Sequence, residues 1–252
     1  MGKKIHVYPN KKKLATEAAE RVINVIGQAT RERGLCNIAL AGGKTPREVY
    51  SMLATDTYRD QVTWSNLHLF WGDERMVPPE HQDSNFRIVK ETLLDHVMIP
   101  DENVHRIRGE IAPEKAATEY AELLHNHFKE EVPRFDLILL GIGEDGHIAS
   151  LFPGTDAVEE CKRYAVAVFV SRLNTWRVTL TFPVINAARE VFLLVSGRSK
   201  ADIVRRIISI KQPAKEFPAS MVIPENGILH WMLDSEAMVL INKSSREVMF
   251  PY

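Results

Sequence analysis

FDLILLGIGEDGHIASLFP, residues 135–153, sets an apolar run directly against a loop of glycines, acids and one histidine. Asp136 to Leu140 reads as a strand buried on both faces, which is the pattern of a parallel sheet. Gly141, Gly143 and Gly146 permit a sharp backbone turn and a close approach by a ligand. Ligands of open α/β sheets bind outside the carboxyl ends of the strands, so Asp145 and His147 stand where chemistry is expected. A histidine beside an acid on such a loop is suited to general base work. Gly141–Gly146 also matches G-x-G-x-x-G. Its two internal acids would repel a pyrophosphate, and its mid-chain position argues further against a nicotinamide site.

Working outward, the chain alternates. Helical spacing runs over Leu14–Arg33, Pro46–Leu53, Phe86–Val97, Pro113–Val132 and Ser199–Ile208. Strand-like runs are Asn37–Ala41, Leu67–Trp71, Asp136–Leu140, Tyr164–Val170, Arg177–Thr181 and Val191–Val195, with short apolar segments at Ile228–Leu233 and Ala237–Ile241. Strand–helix alternation predicts an α/β fold around a mainly parallel, doubly wound sheet. The chain has 252 residues and shows no linker or internal repeat, so residues 1–252 are read as a single domain.

Composition narrows the function classes. The formal net charge is −1 with both signs interspersed, which speaks against a nucleic-acid or membrane surface. Lys11–Lys13 reads as the solvated start of a helix. No apolar run reaches spanning length, and the N-terminus lacks a signal-like apolar core. Cys36 and Cys161 are too few for a disulfide framework, so a reducing cytoplasm is expected. The histidines show no ligand spacing, and His125 and His127, two apart on a helix, face different ways; no metal is expected. Ser150 lacks the G-x-S-x-G setting of a nucleophile elbow.

Three further constellations follow predicted strands. Gly42-Gly43-Lys44-Thr45-Pro46 opens a helix, with Thr45 as expected N-cap, Pro46 at the first helical position and Glu48 closing a capping box. Free N–H groups there, with Lys44, suit one phosphate. It is not a Walker A loop, because Ile38 stands where that motif needs its first glycine. Gly72-Asp73-Glu74-Arg75 places three charges at a strand end, where they are expected to point into the same crevice. Asp73 would take a proton or bind hydroxyls, and Arg75 would hold an anion or a developing oxyanion. Ser196-Gly197-Arg198-Ser199-Lys200 puts Lys200 in a first helical turn, against the helix dipole unless an anion is near. Arg177, at the start of its strand, is a further candidate anion ligand. Together these describe a small anionic substrate held at a helix N-terminus beneath His147.

On AGGKTP (41–46), WGDER (71–75), DSNFR (83–87), LLGIGEDGHIASLFPG (139–154), RVTLTFPVIN (177–186), SGRSKA (196–201) and FPASMV (217–222), the chain resembles the glucosamine-6-phosphate isomerase/6-phosphogluconolactonase family. The resemblance implies a Rossmann-like three-layer sandwich and hydrolysis of a small-molecule sugar-phosphate lactone, 6-phospho-D-glucono-1,5-lactone, with no cofactor. It implies a phosphate loop at Gly42, Gly43, Lys44 and Thr45, phosphate-holding bases at Arg177 and Lys200, a catalytic base at His147, and a substrate loop at Asp73 and Arg75. Relatives often carry a hydroxyl residue where Lys44 stands. Asp145 is expected to orient His147, and Arg75 or a loop N–H to support the oxyanion. Deaminases of the family carry a glutamate where this chain has Phe152, which argues for the lactonase branch. A non-catalytic sugar-phosphate sensor is the other alternative, and no segment reads as a DNA-binding helix for it. The sequence leaves the oligomeric state open.

Overall fold

The computed structural model describes residues 2–241. In chain order the elements are β1 (Gly2–Tyr8), α1 (Lys11–Arg33), β2 (Cys36–Leu40), α2 (Lys44–Leu53), α3 (Asp56–Arg59), β3 (Leu67–Trp71), β4 (Asp73–Arg75), α4 (Asn85–Thr92), β5 (Val104–His105), α5 (Pro113–Phe128), β6 (Leu137–Gly141), β7 (Ala165–Val170), β8 (Thr175–Leu180), α6 (Phe182–Ala187), β9 (Glu190–Val195), α7 (Ala201–Ser209) and β10 (Ile228–Asp234). The main sheet has seven strands in the order β1-β10-β9-β6-β2-β3-β5. Every pairing in it is parallel. Flanking helices complete an α/β sandwich, as the alternation predicts.

The apolar runs end inside this sheet. All five residues of β2 are buried, and Leu137 to Leu140 of β6 are fully buried. Burial on both faces is what a continuous apolar strand requires. The chain runs outward from β2 through β3 to β5, then returns to lay β6 on the other side of β2. The strand order therefore reverses between β2 and β6, and such a switch point opens a crevice at the strand ends. Two buried tyrosines fix the edges of that crevice. The Tyr50 hydroxyl donates to the Ala41 carbonyl at 2.8 Å and accepts from its N–H at 2.9 Å. The Tyr120 hydroxyl clamps Trp71 in the same way, at 2.8 and 2.9 Å.

The structure corrects several expectations. A second sheet of three antiparallel strands, β4-β8-β7, carries the segments around 164–170 and 177–181, which do not join the parallel sheet. Gly72 joins the two sheets: its N–H donates to Leu40 and its carbonyl accepts from Leu180, both at 2.8 Å. The strand β1 was not expected; it alternates Lys and His with Ile and Val at a sheet edge. The helix expected over Phe86–Val97 stops at Thr92 and gives way to a tight turn, and α5 ends at Phe128 with Lys129 in left-handed conformation. The apolar segment at 237–241 is a turn.

The capping box at Thr45 and Glu48 does not form. α2 starts at Lys44 with Gly43 as its N-cap, and no side chain caps it. Glu48 instead pairs with Lys11 at 2.7 Å. The histidines also escape the spacing argument. His68, His105 and His127 come together from β3, β5 and α5, although no two of them show ligand spacing in sequence.

Candidate active site

Three loops leave the C-terminal ends of adjacent strands β2, β6 and β9 and wall one cleft of about 440 Å³. Its lining includes Gly42, Gly43, Lys44, Thr45, Asp73, Arg75, His147, Arg177 and Lys200. Nine of the ten expected site residues thus share one cavity, and the tenth, Asp145, stands behind His147. Lys44, Arg75, Arg177 and Lys200 face Asp73 and Glu144 across the lining, so the cleft is net positive and suited to an anion.

The first loop exposes the start of α2. Gly43 has φ +97, in the left-handed region that favours glycine, and a Cβ there would meet nothing within 4 Å. The absence of a side-chain cap leaves the first N–H groups of α2 turned to the cleft, with Lys44 beside them.

The second loop carries His147. Its Nδ1 lies 2.5 Å from Asp145 Oδ1, and its backbone N–H donates to the same oxygen at 3.2 Å. The carboxylate accepts, so Nδ1 holds the proton and Nε2 keeps its lone pair. Burial raises the Asp145 carboxyl, but the hydrogen bond and charge of His147, with Arg172 at 2.5 Å, outweigh it and bring the group to about 2. It is ionised throughout the neutral range. The Gly143 N–H donates to the His147 carbonyl at 2.8 Å, folding the loop back on itself. A Cβ at Gly143 would lie 2.0 Å from His147 Nδ1, so only glycine admits the imidazole there. Beneath the imidazole lies Phe152, with ring centroids 4.0 Å apart at 30°. Arg172 and Arg177 cover that ring, at 4.8 and 5.5 Å from its centroid.

The third wall comes from the small sheet. Arg75 and Arg177 are cross-strand partners on β4 and β8. Burial pulls the Arg177 guanidinium below its ordinary value while Asp73, 3.8 Å away, pulls it back up. Asp73 is 5% exposed and already engaged: Ser150 Oγ donates to it at 2.6 Å and Asn85 Nδ2 at 3.1 Å. Arg75 donates to the Asp83 carbonyl. Arg75 Nε, Arg177 Nε and Asn85 Oδ1 are buried without a hydrogen-bond partner among the described residues.

Glu74 does not join Asp73 and Arg75 in the cleft, contrary to the sequence expectation of three charges in one crevice. It is 2% exposed and accepts from the N–H groups of Arg75, Asn85 and Phe86 at 2.7–2.8 Å and from Ser84 Oγ at 3.0 Å. Burial raises its carboxyl above the ordinary value, with the three N–H groups opposing the rise. Glu74 is thus the anchor of α4, and α4 delivers Asn85 to the cleft.

Sequence reasoning missed Asn85, Ser150 and Arg172. Asn85 stood in the DSNFR segment; Ser150 was weighed only as a nucleophile, whereas it positions Asp73. Arg172 has no local signal, since it meets Asp145 only through the β7–β8 turn.

Comparison with known proteins follows the same lines. The sequence matches the family described as glucosamine-6-phosphate isomerases/6-phosphogluconolactonase over residues 9–231. It is 40% identical to the 6-phosphogluconolactonase of Synechocystis over 241 residues, 94% of this chain and 98% of that protein. It is 39% identical to the 6-phosphogluconolactonase of Haemophilus influenzae over 205 residues, 81% and 87% of the two chains. The solved 6-phosphogluconolactonase from Trypanosoma cruzi superposes with a TM-score of 0.83 at 29% identity, covering 96% of this chain and 98% of that one. A monomeric glucosamine-6-phosphate deaminase shares the fold, with a TM-score of 0.78 at 21% identity over 94% and 99% of the two chains. The chain belongs to the glucosamine-6-phosphate isomerase/6-phosphogluconolactonase family.

Proposed function

We propose that this protein hydrolyses 6-phospho-D-glucono-1,5-lactone to 6-phosphogluconate, the lactonase step of the oxidative pentose phosphate pathway, with His147 as general base. The observation that carries the reading is the Asp145–His147 pair at 2.5 Å, set in the same cleft as an uncapped helix N-terminus and four cations. The named 6-phosphogluconolactonases at 39% and 40% identity support the substrate.

The phosphate sits on the N–H groups of Gly42–Thr45, with Lys44, Arg177 and Lys200 as countercharges. His147 Nε2 takes a proton from water as its oxygen attacks the lactone C1. Asp145 holds the tautomer and stabilises the imidazolium that results. Arg75, or a loop N–H, supports the oxyanion on the carbonyl oxygen. The tetrahedral intermediate then expels the ring oxygen, which receives the proton from His147. A lactone ester is reactive enough for positioning and one base to suffice.

Phe152 supports this branch over the deaminase. Its ring packs on the imidazole, where a carboxylate relay to an amino-sugar ring oxygen would have to stand. Cys36 and Cys161 are free thiols, in keeping with a cytoplasmic setting, and among the described residues no helix is long and apolar enough to cross a membrane. Residues 1–252 work as one domain in this reading.

The test uses freshly generated phosphogluconolactone, with acid release followed above the spontaneous background. The phosphorylated lactone should be consumed far faster than gluconolactone, and glucosamine-6-phosphate should yield no ammonia. Equal kcat/KM for the two lactones would remove the phosphate loop from its role. Ammonia release at a rate comparable with lactone hydrolysis would replace the lactonase with the deaminase.

A further inference from the structure

Apart from the cleft, the molecule gathers a second set of chemically competent side chains. His68 on β3, His105 on β5 and His127 in the last turn of α5 each offer one ring nitrogen, and these atoms lie within 4.8 Å of one another. All three side chains are half-buried, and none of them lines the cleft of His147. We propose that they form a binding site for a divalent first-row transition metal, of which Zn2+ is the representative, closing a clamp between the sheet edge and α5.

Geometry is the first support. His68 Nδ1 and His105 Nε2 are 3.1 Å apart, with the rings stacked at 12°. Zinc–nitrogen bonds of about 2.0–2.1 Å place two nitrogens of a tetrahedral site roughly 3.3 Å apart, so this pair already spans a ligand edge. His127 needs a swing of roughly 1.5 Å or less to complete the face on that same geometry. Its ring tilts at 59° to His68 and 58° to His105, so it meets the pair from the side and does not extend the stack.

Orientation is the second. Nε2 of His127 lies 2.8 Å from Asn37 Oδ1. An amide oxygen only accepts, so the proton sits on Nε2 and Nδ1 is the basic nitrogen. That is the arrangement by which outer partners fix the tautomer of metal-ligating histidines. Asn37 is itself placed by the sheet, opposite His68 in the β2–β3 register. Phe70, paired with His105 across β3–β5, backs the cluster on its inner side, with centroids 4.4 Å from His105 and 5.1 Å from His127.

Ligand chemistry sets the metal class. Three imidazoles with no thiolate or carboxylate among them suit Zn2+, Co2+, Ni2+ or Cu2+, and disfavour Mg2+ and Ca2+, which demand oxygen. The three ligands come from elements far apart in sequence, so binding would stabilise the folded chain by linkage.

The experiment is Zn2+ titration of the untagged full chain by calorimetry, with the visible absorption of Co2+ as a second probe and Tm as a third. One equivalent should bind and raise Tm. His105→Ala and His127→Gln should each weaken binding by more than about tenfold, since even the loss of an outer partner costs that much. Both variants should hydrolyse the lactone at the wild-type rate, which also shows that they fold. His147→Ala should bind zinc as the wild type does. No binding at stoichiometric protein, binding untouched by both histidine variants, or binding lost in His147→Ala alone would each overturn the site.

Discussion

At the scale of a single residue, the proposed reaction rests on the Asp145–His147 contact. Because Asp145 is held at about 2, it stays a carboxylate and accepts from Nδ1 at any pH at which the enzyme is assayed. His147→Ala should lower kcat by roughly 10²–10⁴, the usual worth of a general base, with a much smaller change in KM. Asp145→Asn tests orientation separately. An amide permits the other tautomer, with the proton on Nε2, and kcat should fall by up to roughly 10⁴ while KM holds. Near-normal turnover in folded His147→Ala would move the base elsewhere, and near-normal turnover in folded Asp145→Asn would remove Asp145 from its orienting role. The direction of Phe152→Glu is also fixed by the surroundings. The new carboxylate would lie beneath His147 between Arg172 and Arg177, which would neutralise it as an ion pair, so the variant should not release ammonia from glucosamine-6-phosphate.

Among the elements, α4 is held by one buried carboxylate. Glu74→Ala strips an acceptor from three backbone N–H groups and from Ser84, and buried donors left unmade cost about 1–3 kcal/mol each before solvent or repacking offsets them. A loss of about 3 kcal/mol in urea unfolding is expected, with kcat/KM falling as Asn85 loses its place. A loss under about 1 kcal/mol would show that α4 starts without Glu74. This role was hidden in the sequence. In Gly72-Asp73-Glu74-Arg75 alternate residues of a short strand point to opposite sides, and the strand itself was not foreseen because three residues show no period. The buried strands at 137–141 and 67–71 were legible because their apolar runs end in glycine. The box at Thr45 misled because Gly43, free to adopt φ +97, starts the helix without a side-chain cap.

At the scale of the whole molecule, the sequence exposed the parallel sheet and almost the entire cleft, since strand ends carry their chemistry in contiguous motifs. It concealed what depends on distant pairing: the small antiparallel sheet, the Arg172–Asp145 contact and the gathered histidines. The same distant pairing sets the response to acid. His6 on β1 is brought down to about 4, first by burial and then by Arg21, His230 and Lys4, with Glu17 opposing. A histidine harder to protonate when folded than when unfolded favours the native state fully above its unfolded value. That stability is lost as pH falls from about 6.5 to about 4. Asp145, Glu110 and Glu160, each brought to about 2, add a second loss only at lower pH, from the ordinary carboxylate range down through about 2. Denaturant midpoints measured from pH 7 to 4 should decline, and His6→Gln should make that decline shallower, leaving the share of His105 and His127, which burial also brings down to about 4. An unchanged slope in the variant would assign it to other groups.

The strand order has a consequence for how the chain is made. Among the described residues Gly2 to Tyr8 pair only with Ile228 to Asp234, so β1 waits for β10, the last of the described strands. At roughly 5–20 residues per second, that wait on the ribosome lasts on the order of ten seconds or more. Meanwhile β2, β3 and β6 can assemble and close the crevice between them, because each finds its neighbour within the first 141 residues. The strands that carry the cleft, β2, β4, β6, β8 and β9, all precede β10 in the chain, and β10, laid between β9 and β1, is the piece that joins β1 to the sheet.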